Sequence, residues 1–552
     1  MIQEKIQLRS ARLTQAELWW MALGFGLAFG ALEALETAAL RHVAHVQSMT
    51  RTSLDVLWVA PLFNVLLNLI VAAGISLVMR VGVPMRRLWA AVIFASIGAL
   101  GVTLYSGFIG HVAGVLLAIG VGIQVGRVAE WPGFRPWLTR ATVIVAAGAV
   151  LSFAGLRARE AWIARQVESR VMPGDGTRPN VLLLVLDTVR GDYLSSNGFP
   201  RPTTPALDQF AASGVQFAHA YSASSWTLPS HASLLTGLPV TGHGATSAWH
   251  NLGADKRQLQ QAFQAQGYAT GAFVANKVFL LPEWGFGKGF DRFDVYDTRT
   301  LLARTTLGRS LRTGLRIFDV GLDPFRPASV INARLERWID SLAGRPFFAL
   351  VNYMEAHEPY GQPDVRPPLP TWDKGSARTP AENAILKSAY EREIQRLDTQ
   401  LGTLFERMSH RPAWANTVVV VVADHGETIS DNSFDHGLDL TWEQIQVPLI
   451  VRFPGAVPAG LRVATPVSTN DVAATIQELV HAPASGRLPG ASLSRYWTGT
   501  GDGPAAGESP GILTELIQPG TQEFFRSIVL DDLQYIVNLD TSVERLFHFR
   551  DD

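Results

Sequence analysis

Four short stretches of the chain carry side chains that could act together. Asn180-Val-Leu-Leu-Leu-Val-Leu-Asp187 is an apolar run that ends in a carboxylate, able to cap a helix or to hold a cation. Thr417-Val-Val-Val-Val-Val-Ala-Asp424-His425-Gly-Glu427 repeats the pattern and adds an imidazole. Oxygen and nitrogen donors on adjacent residues suit zinc, manganese or a similar ion. Between them lies Ser225-Trp-Thr227-Leu-Pro-Ser230-His231-Ala-Ser-Leu-Leu-Thr-Gly237, which runs from polar sequence into a helix-like stretch and stops at glycine. A hydroxyl there would stand at a helix N-terminus, where N–H groups and the helix dipole favour an anion, although Thr227 or Ser230 could equally serve as a plain cap. The fourth stretch, Met354-Glu-Ala-His357-Glu-Pro-Tyr360, follows the apolar run Phe347–Val351, and Asp435-His436-Gly437 lies downstream of Asp424. A lone histidine is usually structural, but three separate strand ends carrying ligand-type residues suggest a common centre.

The elements that must position these groups are legible as an alternation. Val181–Leu186, Ala269–Val274, Phe347–Val351, Thr417–Val422 and Val447–Arg452 read as buried strands, and Leu259–Gln266, Val330–Leu342 and Ala384–Met408 as helices. This order predicts an α/β domain with a largely parallel sheet covered on both faces, whose ligands collect beyond the C-terminal strand ends.

The first part of the chain is different. Apolar residues make up 47% of the whole sequence, its mean hydropathy is +0.13, and both values are raised by five apolar stretches near the ~17–25 residues of a spanning helix. They run from Leu18–Leu40, Val56–Met79, Leu88–Phe108, His111–Gly126 and Leu138–Leu156, the fourth being the shortest and most glycine-rich. Lys5, Arg9 and Arg12, then Arg80, Arg86 and Arg87, then Arg127, Arg135 and Arg140 fall on one side, opposed only by Arg41 and Arg51. The bias predicts a cytoplasmic N-terminus and an extracytoplasmic, periplasmic-side domain on a plasma (inner) membrane. Glu33 and Glu36 sit near the outer end of the first stretch, where solvation is the simpler expectation than an intramembrane function. Residues 1–157 are thus expected to form the transmembrane region, 158–178 a helical stem and linker, and 179–552 the catalytic domain. The net charge of −1 gives no reason to expect a nucleic-acid partner, and the absence of cysteine excludes disulfides, thiolate metal sites and a cysteine nucleophile.

Taken in order, Asp187-Thr-Val-Arg-Gly-Asp192, Thr227 to Gly237, Met354 to Tyr360 and Asp424-His425-Gly-Glu427 resemble the sulfatase family of the alkaline-phosphatase superfamily. The likeness runs from about Asn180 to the C-terminus, where Tyr535-Ile-Val and Glu544-Arg-Leu-Phe547 resemble the family's closing strand and the segment after it. It implies an alkaline-phosphatase-like α/β sandwich and one divalent metal ion, with zinc or manganese favoured and calcium or magnesium less suited to the imidazole. By the resemblance, Asp187, Asp424 and His425 would bind the metal, Thr227 would be nucleophile and fourth ligand, and His357 and His436 would meet the substrate's anion or leaving oxygen. Lys277 and the adjacent Asn276 match a substrate-binding position. The sequence departs from true sulfatases at three places: Thr227 replaces the cysteine converted to formylglycine, His231 replaces an arginine, and Thr188 replaces a second aspartate. Formylglycine is therefore not expected. The pattern is similar to the threonine-nucleophile branch of phosphoethanolamine transferases and lipoteichoic acid synthases, which implies a phosphoryl-threonine route with His357, His231 or His436 as proton donor, and Ser230 as the alternative nucleophile. The spans suggest the lipid bilayer as partner and a lipid or envelope-glycan substrate. Two other readings stand beside this one: a sulfatase working without formylglycine, and an inactive membrane-bound binding protein, whose mark would be a missing metal ligand.

Overall fold

The computed structural model of the chain describes residues 13–40, 53–105, 110–174, 176–246, 251–295, 305, 326–358, 360, 379–429, 434–483, 486–498, 511–519 and 521–549. Lys5, Arg9, Arg12, Arg41 and Arg51, on which part of the charge bias rests, lie outside them. The chain divides into a helical unit through Ile163 and an α/β unit from Ala164.

The helical unit holds α1 (Gln15–Leu40), α2 (Val56–Arg80), α3 (Arg87–Tyr105), α4 (His111–Ala129) and α5 (Phe134–Arg170). Four of the five are long and apolar enough to cross a bilayer, and the one that falls short is α3, not the glycine-rich α4. Helix α5 runs unbroken for 37 residues, so the expected helical stem is a continuation of the fifth apolar stretch. Gly26 and Gly30 bring α1 close to α2: a Cβ on either would come within 2.5 Å and 2.4 Å of the backbone at Val65 and Pro61. Small residues permit such helix approach where lipid gives no hydrophobic drive for association. The expectation of solvated carboxylates is corrected at Glu33. Its side chain is buried in this contact and accepts a hydrogen bond from Asn64 Nδ2 at 2.6 Å, while Glu36 is half-buried.

The α/β unit is built on strands β1 (Asn180–Leu186), β2 (Val215–Tyr221), β3 (Ala269–Val274), β4 (Arg292–Asp294), β5 (Phe347–Tyr353), β6 (Thr417–Val422), the hairpin β7 (Thr428–Ile429) and β8 (Phe434–Asp435), β9 (Gln446–Arg452), β10 (Leu461–Val463) and β11 (Val467–Ser468). Nine of these form one sheet in the order β10-β2-β9-β6-β1-β5-β3-β4, with β11 beside β2. Every pairing is parallel except those of β9, which runs against both β2 and β6. Strands β1, β3, β5 and β6 are buried along their whole length, as continuous apolar runs in a central parallel sheet should be. Helices α6 (Pro205–Ala211), α7 (Thr227–Thr236), α8 (Leu259–Ala265), α9 (Ala328–Ser341), α10 (Pro380–Ser409) and α11 (Asp471–Leu479) lie between the strands in sequence. Helix α10 starts four residues earlier than the apolar period suggests, because Thr379 and Glu382 form a reciprocal cap around Pro380. A second, antiparallel sheet, β12 (Ile512–Ile517), β13 (Phe524–Leu530), β14 (Leu533–Asn538) and β15 (Val543–His548), closes the unit. Its inner face packs Leu516, Val529 and Ile536 with Tyr221 and Ile445.

Candidate active site and metal centre

The parallel register aligns the C-terminal ends of β1, β5, β3 and β6. Asp187 directly follows β1, Asn276 follows β3 by two residues, Asn352 is in the last turn of β5's pleat, and Asp424 and His425 follow β6. Thr227 arrives from the long connection after β2 and is the first residue of α7. The N-cap of that helix is Trp226, whose extended backbone supplies no side-chain cap. Thr227 is therefore inside the helix and not its cap, which leaves its hydroxyl available. At the other end Gly237, at φ +71°, closes α7 against the Pro489 carbonyl, where a Cβ would come within 2.1 Å. Ser230 is directed elsewhere: its Oγ donates to the Ser224 carbonyl at 2.8 Å and stands 3.1 Å from Ser222 Oγ. Ser222 Oγ in turn donates to the Asp424 carbonyl, tying the segment before the helix to the strand end that carries Asp424.

Asp187, Asp424 and His425 are buried, with one donor atom of each within 4.8 Å of the others. His425 Nε2 lies 3.5 Å from Asp424 Oδ2, 3.9 Å from Asp187 Oδ1 and 3.2 Å from Thr227 Oγ1. These separations are near the roughly 3.3 Å edge of a tetrahedron with ~2.0 Å metal–ligand bonds. Asp187 Oδ1 and Asp424 Oδ2 are buried and have no hydrogen-bond partner. A buried acceptor left unpaired is costly, and two on facing carboxylates call for a cation. Burial, and then the charge of Asp187, push Asp424 well above the usual carboxylate range. Burial also raises Asp187, but the imidazoles of His357, His425 and His231 and the Asn276 amide outweigh it and bring the group below its ordinary value. Desolvation pushes His425 well down, so its ring is neutral, and Nδ1 faces the Gly426 carbonyl at 2.8 Å. That places the proton on Nδ1 and the lone pair on Nε2, toward the carboxylates. The donor set fits one divalent cation held by Asp187, Asp424 and His425, with Thr227 Oγ1 adjacent.

The remaining residues read from the sequence fall into two groups. His357 and His425 flank His436, the first edge-on and the second tilted, with ring centroids 4.9 Å and 4.6 Å from it. His436 Nδ1 faces both oxygens of Glu427 at 3.2 and 3.3 Å, and Glu427 also accepts the Tyr360 hydroxyl at 2.9 Å. Burial raises Glu427 to about 8. His231 is fully buried, its Nδ1 2.9 Å from the Thr227 carbonyl and 3.4 Å from Asp424 Oδ2, and desolvation lowers it. Asn276, read as a substrate contact, spends its amide on Asp187 Oδ2 at 3.0 Å and its oxygen on the N–H groups of Val278 and Phe279. Lys277 is buried beside it. Thr188, at the position of the missing aspartate, adopts φ +60° and turns its hydroxyl to the Asp187 carbonyl, while its N–H donates to Asp424 Oδ1 at 3.3 Å. Tyr390 donates to the Thr188 carbonyl at 2.7 Å, bracing this strained turn. Two groups escaped sequence reasoning. Asn352 donates to Asp187 Oδ2 at 3.2 Å, and its signal was a lone amide in an otherwise apolar strand. Glu427 belongs to a quoted motif, but only its contact with His436 shows what it does. Trp226 and Gly437 also meet: the glycine, at φ +71°, leaves 2.2 Å between a would-be Cβ and the indole ring.

The sulfatase family model matches residues 179–482. The chain belongs to the sulfatase family. Among curated relatives, it is 24% identical over 381 residues to an arylsulfatase of Clostridium perfringens, covering 57% of this chain and 78% of that one. It is 27% identical over 374 residues to the arylsulfatase A of Bos taurus, covering 59% and 69%. Among solved structures, the phosphonate monoester hydrolase of Agrobacterium radiobacter superposes with a TM-score of 0.53 at 20% identity, over 68% of this chain and 90% of that one. A 2-O GAG sulfatase superposes with a TM-score of 0.53 at 18% identity, over 68% and 86%. The fold is thus the alkaline-phosphatase-like α/β fold anticipated from the motifs, and this sulfatase-family chain is a hydrolase of sulfuric or phosphoric esters with a buried Asp-Asp-His cluster at its centre.

Proposed function

We propose that the enzyme acts on a phosphoric ester through a covalent intermediate on Thr227, by hydrolysis or by transfer of a phosphoryl or head group to an acceptor alcohol. The observation that carries this reading is the placement of Thr227 Oγ1 at the uncapped start of α7, 3.2 Å from His425 Nε2. When bound, a divalent cation, zinc or manganese by its donor types, lowers the hydroxyl's pKa and screens charge on the transferring group. The Thr227 hydroxyl loses its proton to solvent, its oxygen forms a bond to phosphorus, and the bond from phosphorus to the leaving oxygen breaks. The N-terminal N–H groups of α7 face the charge on the equatorial oxygens. His436, whose Nδ1 faces Glu427 at 3.2 Å, delivers a proton to the departing alkoxide. His357, whose ring stands edge-on to that of His436, meets the same oxygen or the anion. In the second half, water or an acceptor alcohol attacks phosphorus, returns its proton to His436, and restores Thr227. His231 and Lys277 complete the anion's surroundings. Threonine lacks the hydrate through which formylglycine expels sulfate, and this favours phosphorus over sulfur.

The long apolar helices support a membrane anchor, with the N-terminus cytoplasmic and the catalytic unit on the periplasmic side of the inner membrane. Such an anchor favours a substrate in the bilayer or envelope, a lipid or glycan ester. Sulfate-ester hydrolysis without formylglycine is the second reading, favoured by the arylsulfatase names of the relatives.

The test is intact mass and peptide mapping of the purified full-length protein after separate incubation with a phosphodiester and with an aryl sulfate. A phosphoryl- or head-group-sized gain on the Thr227 peptide with the phosphodiester supports the proposal. An adduct with the aryl sulfate alone moves the assignment to sulfate esters. A metal-loaded, turning-over enzyme with no adduct on Thr227 overturns the covalent route.

A further inference from the structure

Three donors of the centre share a property that their residue types do not give: each has a single atom to offer. His425 Nδ1 is committed to the Gly426 carbonyl at 2.8 Å. Asp424 Oδ1 accepts the backbone N–H groups of His425 and Thr188 at 2.9 and 3.3 Å. Asp187 Oδ2 accepts two side-chain amides, from Asn276 at 3.0 Å and from Asn352 at 3.2 Å. The asparagines are themselves fixed and buried. Asn276 Oδ1 accepts the N–H groups of Val278 and Phe279 at 3.1 and 2.9 Å, and Asn352 Oδ1 accepts the backbone N–H of Asn276 at 2.9 Å. What remains for an ion is Asp187 Oδ1 and Asp424 Oδ2, the two atoms without partners.

We propose that Asn276 and Asn352 are positioning residues for metal selectivity: by holding Asp187 Oδ2 they confine that carboxylate to one oxygen and set the centre for a transition ion, zinc first, against calcium. The inference rests on the metal-centre reading above. Calcium gathers six to eight oxygens and does so in part through bidentate carboxylates. For Asp187 to become bidentate, at least one of the two amides would have to release Oδ2, leaving a buried N–H group unpaired. Zinc accepts four donors and tolerates imidazole among them, which is the number and kind left available here. Both amides are neutral, so they orient the carboxylate without adding a charge or a ligand of their own. The clamp spans three neighbouring strands, because Asp187, Asn352 and Asn276 stand at the ends of β1, β5 and β3, which are adjacent in the sheet.

The test uses the full-length protein stripped by a chelator, then titrated with zinc and with calcium, alone and in competition. The variants are Asn276→Asp and Asn352→Asp, which keep the shape and the Oδ1 acceptor but exchange the amide donor for a second oxygen. The parent should prefer zinc over calcium by about 1000-fold or more. Each variant should narrow that ratio by about tenfold or more, while the melting midpoint of the stripped protein reports whether folding is intact. X-ray absorption of the zinc-loaded parent gives a second measurement that needs no variant: single short bonds from the carboxylates are expected, and a bidentate Asp187 overturns the clamp. An unchanged zinc-to-calcium ratio in both variants also overturns it and leaves the metal centre standing. A parent that binds neither ion removes the metal centre itself, and the clamp with it.

Discussion

Two places on the same sheet bury carboxylates and treat them in opposite ways. At the edge strand β4, Asp294 meets Arg326 Nη1 at 2.6 Å, Arg334 Nη1 at 2.7 Å and Arg292 Nη2 at 2.8 Å. Burial raises Asp294, but the three guanidinium groups outweigh it and hold the group below the usual carboxylate range. At the ends of β1 and β6, Asp187 and Asp424 are more deeply buried and no Lys or Arg ion pair is made to either among the described residues. The first site satisfies its charge from within the chain and is structural. The second has no such cation among the described ion pairs and leaves one oxygen on each carboxylate for a metal, which is what separates a binding centre from an ion pair.

Four experiments would break or sharpen this contrast. The largest effect belongs to the centre itself. Asp424→Ala should abolish stoichiometric metal and lower turnover by about 1000-fold or more, whereas Thr227→Ala should lower turnover as far while keeping most of the metal. Elemental analysis beside steady-state kinetics checks both, and an active, metal-free Asp424→Ala would end the contrast. Second, the two sites should respond with opposite signs to neutralisation in the metal-free protein. Asp294→Asn should cost about 3 kcal/mol by leaving the buried Arg326 without its carboxylate partner. Asp424→Asn should gain stability at about pH 8, because a raised carboxylate contributes stability below its unfolded value that is lost as pH rises. Denaturant midpoints of the stripped proteins decide it, and a shared sign refutes the comparison.

Third, Glu427→Gln should slow esters with poor leaving groups by about tenfold or more and barely affect a nitrophenyl ester, since only the former need the proton from His436. Equal losses on both would leave Glu427 a merely structural role. The smallest effect concerns Glu355, which burial raises to about 7 and which accepts the first N–H of α9. Its neutral form is favoured by folding, so its contribution is complete below about pH 4.5 and is lost as pH rises through 7. Glu355→Gln keeps the acceptor and should become the more stable protein across that window, by at most about 3 kcal/mol. A constant difference from pH 4 to 8 would show that folding leaves the Glu355 carboxyl unshifted.

Much of the centre was legible because its chemistry sits where patterns change. A valine-rich strand that ends in Asp-His stands out, as does a leucine-rich strand ending in Asp. The partners that restrict these groups were not legible, because their roles depend on strand order. Asn352 and Asn276 reach Asp187 only because β5 lies between β1 and β3, and no local period encodes that adjacency. Strand β9 read as one more buried strand, and its apolar run carries no mark of its reversed direction. Glu33 was expected in solvent from its place near a helix end, yet Gly26 and Gly30 draw α2 close enough for Asn64 to cover it.

The contact of Gly437 with Trp226 has a consequence for how such an enzyme diverges. Gly437 is bonded to His436 and Trp226 to Thr227, so a contact too tight for even a methyl gauges the spacing of the proposed attacking oxygen and proton donor. Any side chain gained at residue 437 would wedge that gap and move both groups at once. Selection on substrate range thus has a single-codon dial here, one that shifts alignment without replacing any reacting group.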